Sequence, residues 1–284
     1  MIDEIVENAK SNNYYDKEAY KNFKKAQVQT AYDIIDEACE ELKSGNNTFF
    51  KDYLDVQSRF DKYTIRNALL IAKQLPSAMQ LKDYNSWKEA KVSFKNSKPN
   101  KILIIEPGDT YTDRNGILRT PINAKQVIDV SETNTKPYTR NYDKSLILQS
   151  LVHDSPIDIK TVDSLENNVN CKWDKENNVI YICKTDSYDK AISSLATELS
   201  KVGLYDEISE ISDDKAKCLG YMICKKYNVE YPDKDIPNLF VDKNVVDIKD
   251  ELSAMKNVFA DVNNRMGQYL EEKTRNSKNK DMER

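Results

Sequence analysis

Between Arg59 and Lys101 the chain carries ten cations, Arg59, Lys62, Arg66, Lys73, Lys82, Lys88, Lys91, Lys95, Lys98 and Lys101, against three anions, Asp61, Asp83 and Glu89. The stretch is +7 in a chain of formal net charge -4, which leaves -11 for everything outside it. Cations gathered in this way attract polyanions. Tyr63, Tyr84, Trp87 and Phe94 are interleaved with them. Cations track phosphates and aromatic faces stack on bases, a combination that holds a single strand without reading its sequence. On this reading Arg59, Lys62, Arg66, Lys88, Lys91, Lys95, Lys98 and Lys101 meet phosphates. Tyr63 and Trp87 stack bases where exposed, and Asn67 hydrogen-bonds phosphate or sugar. The same residues admit a plainer reading, in which Leu69, Leu70, Ile71, Leu75 and Trp87 are core and the lysines a solvated face.

Other chemistry is sparse. The single histidine, His153, follows a helix and directly precedes Asp154-Ser155-Pro156, a capping or surface position. Zinc hydrolases and histidine acid–base enzymes mostly need more than one. Five cysteines are scattered with no Cys-x-x-Cys pair, which points to reduced, structural thiols. Six glycines form no phosphate-cradling loop, so nucleotide hydrolysis of the P-loop kind is excluded. No apolar run approaches the ~20 residues of a membrane span. The acidic start Met-Ile-Asp-Glu-Ile-Val-Glu is unlike a signal peptide, and a cytoplasmic protein with no membrane partner is expected.

At 284 residues, 39% hydrophobic and 32% charged, the chain can build two modest domains or one large one. Residues 1–15 read as frayed. Tyr20, Phe23, Ala31, Ile34, Ile35, Ala38 and Leu42 recur at three- and four-residue steps, which predicts a helix over 16–44. Further helices are expected from Phe49 and over 64–74, stopped by Pro76, with a short one carrying Trp87. Lys101–Pro107 and Ala124–Val130 read as strands on either side of a turn at Asp113–Gly116. Residues 131–140 read as a linker. Beyond it come a helix over 142–153, a hairpin over 168–184 and a helix from Tyr188 closed by Gly203. Helices over 213–228 and 246–272 follow, and residues 273–284 read as a disordered charged tail. The class is α+β, with domains at 1–135 and 141–272.

Several of these words fall in a known order. Tyr63-Thr64-x-Arg66-Asn67-Ala68-Leu69-Leu70-Ile71, then Gln74-x-Pro76, Tyr84 and Trp87, the basic loop, Ile102-Leu103-Ile104 and Val127-Ile128-Asp129-Val130-Ser131-x-Thr133 resemble the ArdC-type antirestriction family. The match covers roughly residues 16–135. It implies an N-terminal domain that binds single-stranded DNA, in proteins of conjugative plasmids and integrative elements. The family's glycine in the basic loop is missing from Lys95-Asn96-Ser97-Lys98-Pro99-Asn100-Lys101, where an asparagine can take the left-handed turn.

The second half resembles the family's zincin-like metallopeptidase domain. There a helix bears His-Glu-x-x-His, two imidazoles on one face gripping zinc and a Glu activating its water. Here the helix reads Thr197-Glu198-Leu199-Ser200-Lys201, and Lys215 sits near the expected third ligand. An ammonium repels a dication and threonine is a poor zinc ligand. A zincin-like domain without zinc ligands is therefore expected, with vestigial Glu198, no metal, no cofactor and no catalysis. Glu198 and Lys201 are placed to form a shielded ion pair, while Asp213 and Asp214 suit a helix N-terminus. The implied protein is a single-stranded DNA-binding accessory of a mobile element, with a host restriction or defence protein as a further partner. An alternative makes the acidic C-terminal half an inhibitor that mimics DNA toward a defence nuclease. A third reading keeps a hydrolase that uses Glu198 with an unusual metal set.

Overall fold

A helix of 27 residues, α1 (Lys17–Lys43), opens the described part of the chain. The computed structural model describes residues 17–185, 187–209, 212–232, 236–237 and 239–282, with side chains between 18 and 276. The segment expected to fray, residues 1–15, lies outside them. Ala31, Ile35, Ala38 and Leu42 of α1 are fully buried at helical spacing. Tyr20 and Phe23, expected on the same face, are instead exposed, because α1 reaches the core only from Ala31 onward.

After the turn at Gly45, Asn46 caps α2 (Asn47–Arg59) by accepting from the Phe49 N–H. Thr64 does the same for α3 (Ile65–Gln74), and Asp83 for the short α4 (Tyr84–Glu89). Strands β1 (Leu81–Lys82), β2 (Ile102–Pro107) and β5 (Ile122–Asp129) form an antiparallel sheet in the order β1-β5-β2. Ile104 pairs with Lys125 and Leu81 with Asp129. Beyond the sheet, β3 (Tyr111–Thr112) and β4 (Leu118–Arg119) prolong the β2–β5 ribbon to a turn at Asp113 and Gly116.

The second half begins with α5 (Lys144–Val152) and a second sheet in the order β6-β8-β7. The hairpin β7 (Cys171–Asp174) and β8 (Val179–Cys183) follows the sequence expectation. Parallel to β8 runs β6 (Asp158–Val162), which the sequence reading does not contain. Five residues of mixed polarity give too little periodicity, and a parallel partner lies far along the chain.

Helices α6 (Tyr188–Ile208), α7 (Asp213–Lys226) and α8 (Val245–Met282) complete the chain. Gly203 does not end α6, which runs on to a left-handed cap at Ser209. The glycine is there for packing, since a Cβ on it would stand 2.7 Å from Val258 Cγ1 of α8. Nor does α8 stop at Glu272. It continues as helix into the stretch expected to be a tail, where no proline or glycine interrupts it.

One cluster of buried side chains runs from Ile35 and Leu42 through Leu69, Leu70 and Ile71 to Leu199, Phe259 and Met266. The two halves, bounded in the sequence at 135 and 141, therefore share a core. Polar contacts reinforce it: Tyr221 Oη donates to Asp55, Lys225 Nζ lies 2.9 Å from the same carboxylate, and Lys226 Nζ lies 3.0 Å from Asp61. The fold is α+β, as the sequence predicts. Among the described residues no helix is long and apolar enough to cross a membrane.

Candidate nucleic-acid interface

Asp83 sets the phase of α4. Its carboxylate accepts from the Ser86 N–H at 2.8 Å, and that bond, helped by Lys125 at 3.1 Å, holds its pKa down at about 2. With the cap fixed, Tyr84 faces outward and Trp87 inward. The Tyr84 ring is 40% exposed and stacks on Phe94 with centroids 5.1 Å apart and planes 8° from parallel. Lys88, one turn on, lies over the same ring at 4.8 Å.

The basic loop is stapled beside this pair. Phe94 forms a bridge with Thr133, and Lys95 N donates to Glu132 O at 2.8 Å. Lys95 Nζ donates to Ser131 O at 2.7 Å, while the Asn100 N–H and side-chain amide both reach the Glu132 carboxylate. The left-handed residue here is Lys91, ahead of the loop (φ 56°), so neither Asn96 nor Asn100 takes the place of a missing glycine. Lys88, Lys91, Lys95, Lys98 and Lys101 are exposed. None of them enters an ion pair among the described residues. Tyr84, Asn85, Lys101, Lys125 and Gln126, with Asp83 and Glu89, line a depression of about 520 Å³.

Several residues expected to touch nucleic acid do other work. Trp87 is 2% exposed and donates Nε1–H to Ile128 O at 2.9 Å, so its face is not available to a base. It packs with Ile128 and Val130, and Lys82 covers its ring at 5.0 Å. Asn67 is 6% exposed and spends both ends of its amide on the backbone of Ile105. Arg59 is half-buried and donates to the carbonyls of Pro76 and Ala78, which closes the turn after α3. Burial lowers its pKa, and Asp55 and Asp129 offset that. Tyr63 is half-buried and stacks on Phe60 at 5.6 Å. Lys62 and Arg66 are exposed, Arg66 lying 6.0 Å over the Tyr32 ring. Tyr84, exposed and backed by the half-buried Phe94, takes the place of Tyr63 and Trp87 as the accessible ring. The signal for this was Asp83, whose cap fixes which side chains of α4 turn outward.

Thr197, Glu198, Lys201 and Lys215 are all engaged in contacts within the fold. Glu198, 8% exposed, accepts from the Trp173 N–H at 2.8 Å and from Lys201 Nζ at 2.9 Å. Lys201 also reaches Asp213 at 2.7 Å, at the first turn of α7. Burial pulls the Lys201 pKa down, but the bonds to Asp213 and Glu198 outweigh it and leave it above the ordinary lysine value. Thr197 Oγ1 donates to Ser193 O at 2.8 Å and lies 3.1 Å from Tyr231 Oη. A Cβ on Gly220 would come within 2.3 Å of that hydroxyl oxygen, so α6 and α7 touch there through a glycine. Lys215 pairs with Glu251 at 3.1 Å. This donor set does not fit a zinc ion: an ammonium stands between the two carboxylates a cation would share, and no imidazole lies on the helix.

Crystal structures of the antirestriction ArdC protein from the R388 plasmid align with this chain. The metal-free structure aligns with a TM-score of 0.48 at 15% identity, over 74% of this chain and 84% of that one. The Mn(II)-bound structure aligns with a TM-score of 0.47 at 14% identity, over 84% of this chain and 94% of that one. No protein-family model matches the chain, and no curated relative matches it.

Proposed function

We propose that this chain is a non-enzymatic, single-stranded DNA-binding accessory protein of the antirestriction type, carried by a mobile element. The observation that supports it is the exposed ring of Tyr84, stacked on Phe94, with Lys88 over it and Lys101 lining the same depression, in a segment whose Lys91, Lys95 and Lys98 are exposed as well. A base that takes the place of the Lys88 ammonium over Tyr84 extends the stack, while Lys88 and its neighbours turn to the phosphates. Motif words from Tyr63 to Thr133 support the same reading through their likeness to the ArdC-type family. In this reading the rear half keeps a protease-like shape without its metal, because Lys201 occupies the charge position and Thr197 has been absorbed into the α6–α7 contact. A host restriction or defence protein is the partner of such a function.

The test is a salt titration of binding to a labelled single-stranded oligonucleotide, with duplex as control. Five neutralised phosphates give a slope of log K against log salt of about -3.5, and Lys95, Lys98 and Lys101 changed together to alanine flatten it by about 2. A wild-type slope near zero, or equal affinity for duplex, sinks the proposal. Metal analysis of the same protein is expected to find zinc far below one per chain; stoichiometric zinc would revive the hydrolase reading.

A further inference from the structure

Tyr138, in the linker between the two halves, is 75% exposed and carries a guanidinium on its ring. Arg140 Nε donates to Tyr138 Oη at 3.1 Å, and the guanidinium carbon lies 5.8 Å from the ring centroid. Arg140 also meets Glu271 of α8 at 3.6 Å. The next tyrosine along, Tyr142, is half-buried and tilts against Tyr227 at 6.3 Å, so it anchors the linker rather than facing solvent. Lys136 is exposed two residues before Tyr138, as Arg140 is two residues after it. Aromatic and cation thus alternate along this segment as they do around Tyr84.

The two places are joined. Thr133 bridges Phe94, and Asn134 donates its N–H to Ser93 O and its side-chain amide to Ser93 Oγ, each at 2.9 Å. The linker therefore leaves the rim of the Tyr84–Phe94 stack. Five residues of chain span at most about 17 Å between Thr133 and Tyr138. That distance is short against a bound strand, since sites on single-stranded binders run to about 16 nucleotides.

We propose that Tyr138, oriented by Arg140 and flanked by Lys136, is a second base-stacking platform that takes the strand as it leaves Tyr84. This rests on the nucleic-acid reading above and adds a site to it. A ring already held by its hydroxyl loses little freedom on binding, which favours stacking. Arg140 exchanges the 3.6 Å contact with Glu271 for a phosphate while it keeps the ring in place.

Fluorescence anisotropy with labelled oligo-dT of about 6 and about 16 nucleotides tests it. Tyr138→Ala is expected to weaken the longer oligonucleotide about tenfold and leave the shorter one unchanged, while Tyr138→Trp binds both as wild type does. Tyr84→Ala is expected to weaken both. If Tyr138→Ala binds both lengths as wild type does, or loses both equally, the second platform is overturned while the first stands. If the wild-type protein binds neither length, the nucleic-acid reading falls and this inference with it.

Discussion

Asn67 and Ile105 exchange two hydrogen bonds of 2.8 Å, the side-chain amide giving to the strand carbonyl and its oxygen accepting from the strand N–H. Two turns along α3, Gln74 makes the same exchange with Leu103 at 2.9 Å in each direction. The pair acts as a substitute strand. It satisfies the free edge of β2, which would otherwise bury unpaired backbone groups against α3. The spacing works because residues seven apart share a helix face while residues two apart share a strand edge.

Asn67→Ala is therefore expected to act on stability. It leaves the N–H and C=O of Ile105 without partners in a buried setting, at a cost of about 2–4 kcal/mol. Urea denaturation should show the midpoint fall with an unchanged slope. Affinity for single-stranded DNA, measured where the variant is fully folded, should not change; a tenfold loss there with normal stability would restore Asn67 as a ligand contact.

Trp87 and Tyr84 should behave oppositely. Trp87→Phe removes the bond from Nε1 to Ile128 O and some apolar volume, and should cost about 1–2 kcal/mol of stability while leaving DNA affinity intact. Tyr84→Ala should leave the melting temperature nearly unchanged and weaken oligonucleotide binding about tenfold. Thermal melts and anisotropy on both variants decide the matter.

Lys201→Met should destabilise the protein by about 3 kcal/mol, because the Glu198 carboxylate is left buried with only the Trp173 N–H. Adding Glu198→Gln should recover most of the loss, since the carboxamide oxygen still accepts that bond without a charge. The Lys201 pKa is raised, so the pair contributes fully below the ordinary lysine value of 10.5 and its contribution disappears as pH climbs through the folded value. Denaturant titrations of the single and double variants, at neutral pH and in alkali, check both statements.

Asp83 gives a prediction at the acid end. Its pKa is depressed from 3.8 to about 2, so its contribution is present above pH 3.8 and is lost as pH falls toward 2. Asp83→Asn keeps the cap and should hold most of the stability at neutral pH, whereas Asp83→Ala should lose about 1 kcal/mol. Below pH 2 the gap in urea midpoint between the wild type and Asp83→Ala should narrow, because the charge is lost while the protonated carboxyl oxygen can still accept from the Ser86 N–H. A gap as wide there as at neutral pH would show that the ionised carboxylate adds nothing to the cap.

Much of the fold was legible because it is local. Helical spacing located α1 and α2, Pro76 marked the end of α3, and hairpin turns marked β2–β5 and β7–β8. The Glu198–Lys201 pair on α6 was legible too, since residues three apart on a helix are neighbours whatever surrounds them. Charge contrast located the basic segment. What the sequence could not decide was direction. Trp87, Asn67 and Arg59 have the composition of a binding surface, yet each is turned toward a carbonyl contributed from elsewhere in the chain: Ile128, Ile105, and Pro76 with Ala78. Those partners lie between 17 and 41 residues away, and only tertiary packing brings them within reach. The strand β6 and the helical Gly203 follow the same logic, one made by a distant parallel neighbour and the other by Val258. Local periodicity is a property of the chain; which polar group is satisfied by which, and so which side chains remain free for a ligand, is a property of the folded body.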